Sequence, residues 1–278
     1  MKTILVPTDF SEAAKNAADY AAGLAKDLKA RIILLNVSEK PIVLTEVPGK
    51  ITDPDKLTRA CEESLKNESK RLAQTGVDVK YHLRTGFLSD EILEDEKNAS
   101  LVVMGLKGTS NLDAVVIGSM TTSVLHKSSK PVLVIPDQAK YIAPTKIVFA
   151  CDYSPSMNVN ALNALKEFIK PFDSVVYVVN IREEEELIEI DHQVNMKLEH
   201  KLANVKHIYS HPRTADIAEG INKYVNEHNA SMVVVVPHHY NLVDRIFHKS
   251  MSKKIALHTH VPLLALPEKY ASLPGYML

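Results

Sequence analysis

The chain has 278 residues, of which 45% are hydrophobic and 24% charged, and its formal net charge is -1. These values are those of an ordinary globular protein long enough for two domains. The near-neutral charge argues against broad binding to nucleic acid or to an anionic membrane. No run approaches the roughly 18 apolar residues of a membrane span, and charged residues follow the N-terminal MKTILVPTDF at once, so we also expect no signal or transit peptide. Cys61 and Cys151 lack metal-type spacing and are expected to be reduced thiols in a cytoplasmic protein.

The first half alternates continuous aliphatic runs with amphipathic ones. TILVPT at 3–8 and RIILLNV at 31–37 are typical of buried parallel strands. The alanine-rich segment between them has apolar residues at spacings of three and four, and Ser11 is a plausible N-cap, so the pattern predicts a helix. The remaining predicted elements of this half are helices at 55–74, 88–97 and 118–127 and strands at 77–83, 101–105 and 132–135.

This strand–helix order predicts a doubly wound parallel sheet with right-handed crossovers. In such sheets ligands bind beyond the carboxyl ends of the strands, where the strand order reverses. Gly105 ends one predicted strand and Asp9 lies just past another. Both residues are therefore expected at the ligand-binding edge.

The chain also repeats itself. Residues 4–11 align with 147–154, and residues 99–136 align without a gap with 230–267, where ten of the 38 positions are identical. We predict two tandem doubly wound α/β domains, each an open, mostly parallel five-stranded sheet with helices on both faces. The predicted domains span 1–138 and 145–278.

Three of the nine glycines fall between residues 105 and 118. Gly105 and Gly108 follow a predicted strand, and Gly118 opens a predicted helix. Glycine allows backbone N–H groups to approach a ligand, and a helix N-terminus adds N–H donors and the positive end of the helix dipole. Lys107 could add a cation, and Ser119 and Thr121 hydroxyl groups. The pattern predicts a polyphosphate cradle different from the Walker and Rossmann motifs.

The spacing G-x2-G-x9-G-[ST] resembles the ATP-binding signature of universal stress proteins. VPTDFS near the N-terminus, LLNV at the second strand and SKPVLVIP at the domain end extend the resemblance, so the chain is similar to a tandem universal stress protein. The resemblance implies a stress-response regulator whose N-terminal domain binds ATP, ADP or AMP, with Mg²⁺ as a possible companion of the phosphates. It implies a ribose or adenine contact at Asp9 and an adenine pocket lined by Val37. The implied nucleotide contacts together are Pro7, Thr8, Asp9, Val37, Met104, Gly105, Lys107, Gly108, Gly118, Ser119, Met120 and Thr121.

Each of these residues also has a simpler interpretation. A glycine after a strand is commonly a turn residue, Asp9 could cap the following helix, and Val37 and Met104 could belong to the core. Lys107 alone could be a solvated surface residue. The joint spacing on one edge of the sheet favours nucleotide binding over these alternatives.

The second copy has lost the glycine pattern. Val236, His239 and Lys249 align with the three glycines, and only Ser250 keeps the serine of the motif. We therefore expect no ATP binding of the family's kind in the C-terminal domain. Ten of the twelve histidines lie at or after His192, and we interpret them as surface residues rather than as a metal site. The acidic run at 183–186 is interpreted as a solvated loop or helix start.

No catalytic constellation stands out, so we expect a nucleotide-binding regulator rather than a dedicated enzyme. Two alternatives stay open: a weak ATPase or phosphotransferase using the same site, with slow modification of Ser119 or Thr121, and an interaction module that binds no nucleotide. The short strands at 132–135 and 263–266 would invite pairing if their edges were exposed, and the resemblance implies pairing through this last strand. We therefore predict an intrachain pseudo-dimer of the two domains, while a homodimer of two chains stays open.

Overall fold

The computed structural model describes residues 2–38, 54–106, 119–151, 153, 157–181, 192–214, 216–236 and 261–267. The first half contains β1 (Thr3–Pro7), α1 (Glu12–Leu28), β2 (Arg31–Ser38), α2 (Pro54–Ala73), β3 (Val79–Thr85), α3 (Leu88–Asp95), β4 (Leu101–Gly105), α4 (Ser119–Lys127) and β5 (Val132–Ile135). The second half contains β6 (Lys146–Ala150), α5 (Leu162–Ile169), β7 (Val175–Val179), α6 (His192–Leu202), β8 (Lys206–Ser210), α7 (Ile217–His228), β9 (Met232–Val235) and β10 (Leu263–Ala265). Two 3-10 helices lie at Glu96–Asn98 and Val159–Ala161.

The elements predicted for the first half are present, with small shifts at their ends. The predicted strands 101–105 and 132–135 coincide with β4 and β5. β3 begins at Val79 instead of Val77, although Val77 is buried. Its apolar character therefore reflects packing in the core rather than membership of the strand.

All ten strands form one sheet in the order β3-β2-β1-β4-β5-β10-β9-β6-β7-β8. Every neighbouring pair is parallel except β5 and β10, which run antiparallel with Leu264 opposite Leu133. Each half is thus a five-stranded doubly wound unit with its first strand in the centre. The pairing expected between the two terminal strands is present and makes the sheet continuous across the two units.

Successive strand residues point to opposite faces of the sheet, and each face has its own core cluster. One cluster contains residues of α1, α2, α5 and α6, and the other contains residues of α3, α4 and α7. Both clusters extend through the two halves. Helices therefore cover both faces of each unit, as the predicted fold class requires.

Helix α1 has well-formed ends. The Ser11 hydroxyl accepts a hydrogen bond from the Ala14 N–H at 3.3 Å, and Lys29 ends the helix in the left-handed conformation. Ser11 is thus the N-cap that the sequence predicted. Alanines fill the buried face of α1, so the helix can pack closely on the sheet.

The segment between β5 and β6, the linker of the two units, is held on α1 by the buried side-chain amide of Asn16. The Asn16 Nδ2 group donates to the carbonyl oxygens of Pro136 and Ala139, at 3.0 Å each. Its Oδ1 atom accepts from the Lys140 ammonium at 3.1 Å. The linker therefore has a defined path although its sequence has no apolar period.

Tyr141 continues this attachment along the same stripe of α1. Its ring meets Tyr20 edge to face at 5.2 Å, and its hydroxyl donates to Asp27. A Cβ at Gly23 would stand 2.5 to 2.9 Å from three Tyr141 atoms, so only a glycine leaves room for the ring. Burial, together with the hydrogen bond to Asp27 and its charge, raises the pKa of Tyr141, and the phenol keeps its proton.

Within the part of the chain that the structure describes, no helix is long and apolar enough to cross a membrane.

Candidate functional site

The carboxyl ends of β1, β2 and β4 form the candidate site. β1 is the central strand of the first unit, and the chain reaches β2 on one side and β4 on the other. This reversal opens a crevice at the carboxyl edge of a parallel sheet. Asp9 follows β1 and is exposed, Val37 lies near the end of β2, and Gly105 ends β4. The structure brings these three predicted residues to neighbouring strand ends.

The turn after β1 is fixed by short-range hydrogen bonds. The Thr8 N–H donates to the Leu35 carbonyl oxygen at 2.8 Å, and the Phe10 N–H donates to the Thr8 hydroxyl at 3.1 Å. Asp9 Oδ1 accepts from the Ser11 N–H at 3.0 Å. Asp9 therefore shapes the turn but does not cap α1, since Ser11 has that role. Phe10 has a φ of 63°, a conformation that a residue with a side chain adopts only when its surroundings impose it.

Pro7, Val37 and Met104 give the site an apolar floor. Pro7 and Met104 are buried, Met104 with 6% of its surface exposed. Val37 is half-buried and packs against the cluster of α3, α4 and α7 that contains Met104. This placement is compatible with Val37 and Met104 being core residues, and equally with their lining a pocket for the purine ring.

Gly105 has a packing role that the sequence did not reveal. A Cβ at this position would stand 2.5 Å from the carbonyl oxygen of Ala13 and 2.8 Å from its carbonyl carbon. Since both are backbone atoms in the first turn of α1, they cannot rotate away. Gly105 is therefore required by the approach of α1 to β4, whatever ligand binds nearby.

The remaining motif residues lie at or before the start of α4. Lys107, Gly108 and Gly118 are outside the described residues, as are the side chains of Ser119 and Met120. α4 begins at Ser119, as the pattern predicts, and the topology brings its N-terminus to the carboxyl edge. Thr121 is buried, with 6% of its surface exposed. The contacts of these residues with a nucleotide stay predictions.

Two charged residues in the first turn of α1 form an ion pair. The Lys15 ammonium lies 2.7 Å from the Glu12 carboxylate in the first turn of α1. This hydrogen bond and the lysine charge lower the pKa of Glu12. The pair is solvent-exposed, and it leaves the first turn of α1 without a net side-chain charge from these two residues.

A cavity of about 470 Å³ lies between α1, α2 and the linker. Its charges largely pair with one another: Arg71 contacts Asp19 and Glu68 at 2.7 Å each, and hydrogen bonds to these carboxylates raise the pKa of its guanidinium. None of the residues predicted for the nucleotide site is among those described as lining it, which are Glu12, Ala13, Lys15, Asn16, Asp19, Glu68, Arg71, Asp137, Gln138 and Lys140. Among the residues that the structure describes, those that line the cavity are therefore different from those predicted to contact the nucleotide.

The described residues of the corresponding turn in the second unit share two features with the first. The Cys151 N–H donates to the Val179 carbonyl oxygen at 2.9 Å, and Tyr153 has a φ of 51°, like Phe10. The thiol of Cys151 is buried 3.6 Å from the Met157 sulfur. Asp152, which aligns with Asp9, lies outside the described residues.

The surroundings of this second turn differ. β6 ends at Ala150, but α5 begins only at Leu162, after the 3-10 helix. Val236, which aligns with Gly105, is buried with 5% exposure. The second unit therefore has a buried valine at the position of Gly105, and its helix begins farther from the strand end.

The counterpart of Val37 is also covered. Ile181 follows β7 and is buried with 8% exposure. A Cβ at Gly220 of α7 would lie 2.9 Å from the Ile181 Cγ2 atom and against Thr214. Side chains of the second unit thus fill the space over this strand end.

The histidines that follow Val236 in the sequence, His238, His239, His248, His258 and His260, and the acidic run 183–186 lie outside the described residues. Among the residues that are described, no three His, Cys, Asp or Glu side chains are grouped to hold a metal ion. Mg²⁺ bound together with the nucleotide phosphates stays a prediction.

Sequence reasoning missed Asn36. This buried residue near the end of β2 donates from Nδ2 to the Thr8 carbonyl oxygen at 2.8 Å. Its signal in the sequence is a single amide inside an aliphatic strand, in RIILLNV. A polar residue in such a run needs a buried hydrogen-bond partner, and here the partner is the turn of the candidate site.

The fold and the site together define a tandem doubly wound α/β protein with a candidate ligand crevice in its first unit. Comparison with known proteins agrees: residues 1–136 and 144–267 both match the universal stress protein family. The chain therefore belongs to the universal stress protein family, as its motifs indicated.

Curated relatives match about half of the chain each. Universal stress protein MJ0577 of Methanocaldococcus jannaschii is 34% identical over 153 residues, which are 48% of this chain and 94% of the relative. Universal stress protein Sll1654 of Synechocystis is 35% identical over 139 residues, which are 49% of this chain and 85% of the relative. A crystal structure of a universal stress protein from Archaeoglobus fulgidus covers 96% of this chain and 98% of its own, with a TM-score of 0.74 at 19% identity. At that identity the likeness concerns the fold, and it includes both units.

Proposed function

We propose that the first unit binds an adenine nucleotide, ATP or its product ADP or AMP, and that the protein is a nucleotide-responsive regulator of the stress response. The observation that carries the proposal is the reversal of strand order at β1, which places the ends of β2 and β4 on either side of its carboxyl end. There the exposed carboxylate of Asp9 lies at the strand ends that also carry Val37, Met104 and Gly105. Such a reversal is where doubly wound sheets bind their ligands.

The chemistry of these groups suits a nucleotide. A carboxylate accepts hydrogen bonds from ribose hydroxyls, and Val37 and Met104 offer apolar contacts to a purine ring. The start of α4 supplies N–H donors and a positive dipole end for phosphate. In the proposal Lys107, Gly108 and Gly118 complete the phosphate contacts, and Mg²⁺ accompanies the phosphates.

We further propose that the second unit does not bind nucleotide in this way. Two packing differences support this: Val236 occupies the position of Gly105, and Ile181 is covered by α7 and Thr214. A purine could enter as proposed for the first unit only if the cover over Ile181 moved. The proposed units span 1–138 and 145–278, and the pairing of β5 with β10 supports the idea that one chain is an intrachain pseudo-dimer. Association of two chains stays a prediction.

The test is to release small molecules from freshly purified protein by denaturation and identify them by mass spectrometry. We expect a single adenine nucleotide per chain. ATP added to nucleotide-free protein at about 100 times its Kd should stabilise the chain by about 2.7 kcal/mol, since a ligand of the folded state shifts unfolding by mass action. Gly118→Lys, which copies Lys249 of the second unit, should abolish both results.

Lys249→Ala is the matched control and should leave both results unchanged. Two nucleotides per chain would contradict the proposed loss in the second unit. No nucleotide and no stabilisation by ATP would overturn the proposal and favour an interaction module. Release of ADP from ATP at a rate that Asp9→Asn reduces would instead favour the weak ATPase.

A further inference from the structure

Asn36 makes one hydrogen bond and leaves one buried atom unsatisfied. Its side chain has 8% of its surface exposed, and Nδ2 donates to the Thr8 carbonyl oxygen at 2.8 Å. Because a carbonyl oxygen only accepts, the group facing it must be the NH₂ end of the amide. The Oδ1 atom is then buried with no hydrogen-bond partner in the described part of the chain.

This arrangement costs stability. A buried acceptor without a hydrogen bond is unfavourable, so an apolar side chain would be more stable at this position if the residue only filled the core. What Asn36 contributes instead of apolar packing is the hydrogen bond to the Thr8 carbonyl oxygen. Its role therefore depends on what the Thr8 carbonyl controls.

The Thr8 carbonyl belongs to the peptide that joins Thr8 to Asp9. In a planar trans peptide the C=O and N–H groups point in opposite directions. By holding the oxygen, Asn36 fixes the plane of this peptide, and with it the direction of the Asp9 N–H and the position of the Asp9 Cα. The turn that follows contains Phe10 with a φ of 63°, and it is held by the bonds from Phe10 to Thr8 and from Ser11 to Asp9.

The second unit contains the same device. Asn180 donates from Nδ2 to the Cys151 carbonyl oxygen at 2.7 Å, and the Tyr153 conformation matches that of Phe10. The chain thus holds two copies of one structural bond, and only one lies in the proposed nucleotide site. A purely structural role predicts equal consequences in both units.

We propose that Asn36 is a positioning residue for the nucleotide: it orients Asp9 by fixing the Thr8–Asp9 peptide. This inference rests on the proposed function of the first unit. Asn36 acts through Asp9, while Asn180 maintains only the fold of its own turn.

The test compares Asn36→Leu with Asn180→Leu. Both substitutions keep a side chain of similar size and remove the amide. Both should lower the urea midpoint of unfolding. Asn36→Leu should also weaken ATP binding by at least about tenfold, measured by calorimetry on the folded protein, whereas Asn180→Leu should leave the Kd within about twofold. Asn36→Asp, which keeps the shape but removes the donor, should weaken binding likewise and decides the matter if the leucine variant does not fold.

A double-mutant cycle tests the route through Asp9. In an Asp9→Asn background, Asn36→Leu should weaken ATP binding no further, because the group that it positions is already altered. Full additivity of the two losses would overturn the proposal, as would a wild-type Kd for both Asn36 variants. If the wild-type chain itself binds no nucleotide, the proposed function fails and the inference fails with it, which is a distinguishable result.

Discussion

Each half of the chain has, after its own central strand, a turn with the same described hydrogen bonds, and the two halves differ in what packs beside it. Thr8 and Cys151 make equivalent backbone bonds to the neighbouring strand, and an asparagine holds the carbonyl of each. In the first half α1 begins soon after the turn, and the backbone of its first turn lies close to Gly105. In the second half the first α-helix begins later, and the residue aligned with Gly105 is the buried Val236.

The comparison shows that two different requirements can explain one glycine: the close approach of a helix and contact with a ligand. From the sequence, the change of Gly105 to Val236 looks like the loss of a ligand contact. In the structure it goes together with a shift in where a helix starts. A change in the glycine pattern and a change in packing therefore coincide at one position, and a measurement of nucleotide binding alone would not separate them.

The largest expected effect comes from adding a single carbon at Gly105. Gly105→Ala should lower the free energy of unfolding by about 3 kcal/mol, because the new Cβ would meet the Ala13 backbone at 2.5 Å. Urea unfolding followed by circular dichroism measures it. Val236→Ala is the control in the other unit and should cost about 2 kcal/mol, through lost burial instead of a clash. A neutral Gly105→Ala would mean that α1 and β4 do not approach so closely.

An intermediate effect is expected where α1 carries the linker. Gly23→Ala should destabilise the chain by about 1–2 kcal/mol, since the Cβ would overlap the Tyr141 ring. In a Tyr141→Ala background the same change should stabilise by up to about 1 kcal/mol, because alanine favours a helix over glycine. Thermal unfolding of the four proteins of this cycle provides the measurement. The same sign in both backgrounds would show that Tyr141 does not lie on α1.

The smallest effect concerns the helix starts themselves. Ser11→Ala should cost about 1 kcal/mol, since the Ala14 N–H loses its cap at the N-terminus of a 17-residue helix. Asn158 caps the short 3-10 helix of the second unit through the Asn160 N–H at 3.0 Å. Asn158→Ala should cost less than Ser11→Ala, as judged by the shift in urea midpoint. Equal losses of stability would indicate that the Ser11 and Asn158 caps contribute equally to the stability of the fold.

From the sequence alone we predicted the strands and helices of the first half, the fold of the two units, and the edge at which the candidate site residues lie. Aliphatic runs such as TILVPT and the spacing of alanines in α1 are local patterns, and local patterns set strand and helix. Asp9 and Gly105 could be assigned to one edge because all parallel strands of a unit end on the same side. Asn36 carried a readable signal, but its partner could not be named from it.

Contacts between distant segments were decided by the tertiary structure. That Gly105 meets the Ala13 backbone depends on where α1 starts relative to β4. That the linker lies on α1 depends on Asn16 reaching Pro136, 120 residues away in the chain. Periodicity indicates which face of a helix or strand is buried, but not which atoms of other elements pack against that face. Close approach is set by the packing of whole elements, and for that reason it appears only when the chain is folded.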